Sequence, residues 1–140
     1  LEPNHLSNLH ARAQTLFAKG FYKSADREFR DLANRFPKSA YAQNALAWFL
    51  ATCPDSSFRS ATASVIAAKG ACELSRWENP SYLDTLAAAY AENGEFDQAV
   101  VFARRAVDRM PMSDPVRSKV VQHLESFQRK EAWRETSSDE

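Results

Sequence analysis

The sequence has little of what most active-site motifs require. Only three of its 140 residues are glycine, so no Gly-rich phosphate loop can be assembled, and no Gly-x-Ser-x-Gly nucleophile turn occurs. Two cysteines, Cys53 and Cys72, have no C-x-x-C spacing and suggest neither a metal knuckle nor a disulfide framework. His5, His10 and His123 fall on different predicted elements, with no i, i+4 pair and no carboxylate at ligand spacing; they read as structural or solvated. No catalysis, metal or cofactor is therefore expected of this segment. Charge of one sign is also missing, because 18 Lys and Arg balance 18 Asp and Glu. Without a net field, neither nucleic acid nor an anionic membrane is an expected partner. No apolar run approaches the roughly 18 residues of a membrane span, and Leu1 opens no basic-then-apolar leader. The chain does not start with Met, which suggests a piece of a longer protein, although cleavage of a tag would leave the same start. A chain of this length suits one domain that buries about two thirds of its unfolded surface. Unpaired thiols fit a cytoplasmic location.

What the chain does have is an internal repeat. Gly20, Ala25 and Pro37 are answered by Gly94, Ala99 and Pro111, with the same internal spacings of five and twelve residues. A fixed spacing of Gly, small residue and Pro marks one supersecondary unit used more than once, and such units bury their apolar faces by stacking. The copies lie 74 residues apart, or two periods of about 34 plus six. An interrupted copy is expected between them. Leu46, Ala47 and Leu50 supply it, mirroring Leu83, Leu86, Ala87 and Tyr90, and Val65, Ala68 and Ala71 continue it. Five of the extra residues fit in the stretch 54–60 and one near Trp77.

Periodicity, caps and breakers divide the chain into seven helices. The first covers about 4–18, with Leu6, Leu9, Ala13, Leu16 and Phe17 inward, and Gly20 stops it. The second covers 22–35 and cannot pass Pro37. Ser39 caps a third at 40–52, apolar almost all round, and an alanine-rich fourth follows at about 59–75. Asn79 before Pro80 opens the fifth, to 92, and Asn93-Gly94 turns the chain into the sixth at 96–110. Asp114-Pro115 repeats the cap-and-proline signal and opens a seventh to about 134, with Val116, Val120, Leu124 and Phe127 as one apolar stripe. The tail 135–140 is polar and expected to be disordered. On this layout Cys53 and Cys72 lie about 12 Å or more apart along the helix axis, too far for a bridge.

Leu86, Ala87, Tyr90, Gly94, Phe96, Ala99, Ala106 and Pro111, in that order and spacing, resemble the tetratricopeptide repeat family. The wording LAWFLATCPD followed by RWENPSYLDTLAAAYAENGEFDQAV is similar to a bacterial subset, in which such arrays often end long multidomain chains, some of them protein kinases. Three departures stand out: Leu9, Gln43 and Leu83 replace the early aromatic, Arg12 replaces a Leu, and the middle unit has no turn Gly and Arg76 in place of its Pro. The resemblance implies an all-α fold, a right-handed superhelix of antiparallel hairpins. Repeats would cover about 6–39, 40–79 and 80–113, followed by a capping helix at 115–134, in one domain spanning 1–134.

It also implies recognition rather than chemistry, with the first helix of each unit lining a concave face that takes a protein or peptide segment. The positions facing it would be Ser7, His10, Gln14 and Phe17, then Tyr41, Asn44, Trp48 and Thr52, then Ser81, Asp84, Ala88 and Glu92. Tyr41, Asn44 and Trp48 share one helix face and would form the anchor. The plainer alternative is that Tyr41 and Trp48 are core aromatics. A two-carboxylate clamp of the kind used by chaperone-binding members is absent, since His10, Gln14, Ala45, Ser81 and Thr85 stand at its positions. Asp84 and Glu92 would instead make one end of the groove acidic and favour a neutral or basic ligand. Phe58 in the insertion reads either as a contact residue or as a staple at a helix start, and Trp133 either as a seal on the array or as a contact to a further domain. Two other functions stay open: a C-terminal regulatory or docking part of a larger signalling enzyme, and self-assembly into a homo-oligomer through the first hairpin at His5, Leu6 and Leu9.

Overall fold

A computed structural model of the chain describes residues 3–136. The described residues are all-helical, with no strand: α1 (Pro3–Ala18), α2 (Tyr22–Arg35), α3 (Ala40–Thr52), α4 (Ala61–Leu74), α5 (Pro80–Glu92), α6 (Phe96–Arg109) and α7 (Arg117–Gln128). A single 3₁₀ turn, Ser56–Phe58, separates α3 from α4. Each helix packs on the next, and the odd-numbered helices also touch in series, α1 on α3, α3 on α5 and α5 on α7. The even-numbered helices have no comparable series of contacts. An inner layer of odd helices and an outer layer of even ones is the outcome.

Local sequence accounts for the boundaries. Ser39 Oγ accepts from Ala42 N–H, Ser60 Oγ from Ala63 N–H, and Asn79 Oδ1 from Ser81 N–H beside Pro80 in the first turn. Helix α4 therefore starts at Ala61 rather than at 59. The preceding 3₁₀ turn is tied separately, with Asp55 Oδ1 accepting from Ser57 N–H at 2.9 Å. Gly20 and Gly94 adopt φ of 81° and 78°, and the amides of Phe21 and Glu95 reach back to the carbonyls of Leu16 and Tyr90. This left-handed closure satisfies helix-end carbonyls and is cheapest for glycine. Arg76 and Lys130 make the same closure without glycine, at φ of 59° and 60°.

The seventh helix is shorter than the 115–134 expected. Asp114 Oδ1 accepts from Val116 N–H at 2.9 Å and the first turn closes by i to i+3 bonds, so regular helix begins at Arg117. At the other end Lys130 turns left-handed, Glu131 N–H bonds Ser126 O at 3.0 Å, and Ser126 Oγ donates to Glu131 O. The helix stops at Gln128 and the chain reverses direction. Residues 135 and 136, expected in a disordered tail, are ordered against the inner layer; 137–140 lie outside the described residues.

Three apolar clusters fill the space between layers. Phe29 and Phe49 stack at 5.0 Å in the first, Leu83, Leu86 and Val120 lead the second, and Phe127 with Ala87, Ala88 and Ala91 forms the third. Alanines at the facing positions of α3 and α5 let those backbones approach closely. The buried Ser64 hydroxyl donates to Ala47 O at 2.8 Å, so the polar atom inside the α3–α4 contact is satisfied. Cys53 and Cys72 are buried free thiols, and burial raises the Cys72 pKa to about 11.

Candidate functional site

The inner layer divides into an open part and a covered part. Over α1 and α3 a cavity of about 630 Å³ opens, with Phe17, Phe29, Ala45, Trp48 and Phe49 as an apolar floor and His10, Gln14 and Asn44 as polar walls. Its remaining wall is the returning chain, Glu135 and Thr136. Asn44 Oδ1 is buried and accepts no hydrogen bond among the described residues. A buried amide oxygen without a donor is costly, and the residue that carries it lines the cavity. Tyr41 stands beside the cavity rather than in its wall: its ring meets His10 edge-on at 4.6 Å and its hydroxyl bonds His10 Nδ1. Burial lowers the His10 pKa and raises that of Tyr41. Near neutral pH the pair is therefore a neutral imidazole and a protonated phenol.

The structure brings His10, Gln14, Phe17, Asn44 and Trp48 into one cavity and puts Tyr41 beside it and Thr52 and Asp84 elsewhere. Thr52 is fully buried, with its hydroxyl donating to Trp48 O at 2.7 Å. Asp84 is buried too, with both carboxylate oxygens 3.0 Å from His123 Nδ1. Burial pushes the Asp84 carboxyl upward, and the His123 contact opposes that shift. Trp48 is core and wall at once, since one part of it lines the cavity while its ring lies 5.4 Å from His123.

The acidic end expected from Asp84 and Glu92 is not open to a ligand. Asp84 lies under His123, and Glu92 holds Arg59 at 3.1 Å through Oε1 and Arg134 at 2.7 Å through Oε2. Sequence displays charges but not their partners, and the partners here come from 33 and 42 positions away. Arg59 belongs to the insertion and is itself held by the carbonyls of Cys53 (2.7 Å) and Pro54 (3.2 Å). Phe58 packs into the first cluster, as a staple would. Trp133 packs against the third cluster, as a seal would, though from a segment beyond the last helix.

Residues 131–136 form that segment, a strap across the inner layer. The Trp133 ring lies 4.4 Å from that of His123 with Lys119 Nζ 5.2 Å above it. Arg134 reaches Glu92 and, at 3.4 Å, Ala51 O, while Glu135 N–H donates to Thr52 O at 2.9 Å. Sequence reasoning missed His123, Lys119 and Arg134. One signal was there to be found: the stripe Val120, Leu124, Phe127 calls for an apolar residue at 131, where Glu131 stands.

On the outer layer a second, shallower hollow of about 660 Å³ between α3 and α4 carries Ile66 and Leu74, both exposed. No helix among the described residues is long and apolar enough to cross a membrane. No family model and no curated protein sequence matches the chain.

Proposed function

We propose that this chain is a tetratricopeptide-type interaction module whose inner layer docks a protein segment, without catalysing a reaction. The observation that carries this reading is the cavity over α1 and α3, where an apolar floor is rimmed by His10, Gln14 and Asn44. An apolar side chain of a ligand would fill the floor, and its backbone would bond the polar side chains of the rim, the division of labour found at peptide-binding grooves. The internal repeat and the series of odd-helix contacts support a stacked array. A cytoplasmic setting suits two buried reduced thiols.

The test is to pan a displayed heptapeptide library against the full chain and measure the selected peptides on a Gln14→Ala, Asn44→Ala double variant of unchanged helicity. Loss of at least about tenfold in affinity, or 1.4 kcal/mol, is expected. Peptides that bind both proteins equally would remove the cavity as the site.

A further inference from the structure

The strap is held by three anchors, and each is a place on α3, α5 or α7 that recognises a chemical type. The first is an aromatic slot. His123 forms its wall at 4.4 Å from the Trp133 ring, Lys119 covers it, and His123 is fixed from behind by Asp84. The second is a cation site. Glu92 Oε1 is already occupied by Arg59, so its position is set in advance and Oε2 is left for the Arg134 guanidinium. The carbonyl of Ala51 in the last turn of α3 adds to it, where a helix leaves its carbonyls unpaired and its dipole is negative. The third is Thr52 O in the same turn, which takes the Glu135 amide as an added strand would be taken.

None of these anchors depends on the covalent link through Lys130. A free extended segment with an aromatic residue followed by a basic one presents the same ring, guanidinium and amide in the same order. Lys130 is left-handed without being glycine, and the bonds between Ser126 and Glu131 at the junction touch none of the three anchors. The far end of the strap, Glu135 and Thr136, walls the open cavity, so a segment seated along the whole inner layer must take the strap's place.

We propose that the inner layer takes an extended partner segment bearing an aromatic–basic pair, and that residues 131–136 are a tethered copy of that ligand which the partner displaces. The proposal rests on the reading of the inner layer as a docking face. A short tether supplies an effective concentration in the millimolar range, so the strap holds back weak ligands and yields to strong ones.

The probe is a synthetic peptide with the sequence of residues 129–136, Arg-Lys-Glu-Ala-Trp-Arg-Glu-Thr, titrated by NMR into the full chain and into its Trp133→Ala, Arg134→Ala variant. The amides of Thr52, Glu92 and His123 should shift in the variant at a peptide concentration at least tenfold below that needed in the parent chain. A peptide with Ala in place of its Trp should do nothing. Equal response of the two proteins, or no response at those amides in a variant of unchanged circular dichroism, would overturn the proposal. Should the double variant lose its fold, Arg134→Ala alone opens the cation site and should still lower the required concentration severalfold; no change there overturns it as well. Library peptides that bind at Gln14 and Asn44 while ignoring both strap substitutions would remove the strap's role and leave the docking face standing. If no library peptide depends on Gln14 and Asn44, the docking face itself fails.

Discussion

The two ends of the inner layer are built from the same helix positions and have opposite surroundings. Over α1 and α3, His10, Gln14 and Asn44 face an open cavity. Over α5 the corresponding Asp84 and Ala88 are buried, because α7 and the strap lie across them. Helix periodicity decides which face a residue occupies, and what the rest of the chain lays over that face decides whether it is groove or interior. The polar groups show the difference most clearly. Asp84 and Glu92 at the covered end are in ion pairs or hydrogen bonds with His123, Arg59 and Arg134, whereas Gln14 and Asn44 at the open end line the cavity.

The comparison is broken most directly at its polar centres. At the covered end, His123→Ala leaves the buried Asp84 carboxylate alone, and loss of one partner of a buried pair costs about 3–5 kcal/mol. At the open end, His10→Ala removes a half-buried ring that is hydrogen-bonded to Tyr41, and should cost about 1 kcal/mol. Urea unfolding of the two variants at pH 7 measures both. Similar losses would mean that the covered end is no more closed than the open one.

A lesser effect follows from pH at the open end. Burial lowers the His10 pKa below its ordinary 6.5, so the unfolded chain takes up a proton before the folded chain does. The stability this contributes is whole above about pH 6.5 and is lost as pH falls through 6.5 toward the folded value. The parent chain should therefore lose more stability than His10→Gln between pH 7.5 and 5.5. The difference should be below about 1 kcal/mol, since the ring is partly solvated. An equal loss in the two proteins would show that His10 is not held neutral.

The smallest effect tests the join between helix and strap. Lys130→Gly relieves a left-handed residue and should stabilise the chain by about 1 kcal/mol, read as a rise in thermal midpoint. A fall would mean that the lysine stem contributes packing greater than its strain.

These same residues show what was legible in the sequence. The helices over 22–35, 40–52 and 80–92 coincide with the expected spans, because Ser39, Asn79-Pro80, Gly20 and Gly94 are local signals whose physics is complete within a few residues. Where the left-handed turn falls on Lys130 the signal vanishes, since nothing in a lysine announces positive φ. The expected seventh helix accordingly ran to 134 and the strap was hidden. Asp84 with His123, and Glu92 with Arg59 and Arg134, are pairings between distant parts of the chain with no period to reveal them. The cavity residues His10, Gln14, Phe17, Asn44 and Trp48 were accessible by register alone. Thr52 has the same register, but it is fully buried where the Glu135 amide bonds its carbonyl.

The stretch between α3 and α4 spoils the regularity of the repeat, and that irregularity has a use. In a stack of identical hairpins the groove possesses translational symmetry, so a bound segment could shift by one unit and find equivalent walls. Arg59, carried on the odd turn, fixes one carboxylate, Glu92, at one point along the layer. The residues that fit the period least thus give the groove an origin, and a ligand that reads Glu92 has one register available to it.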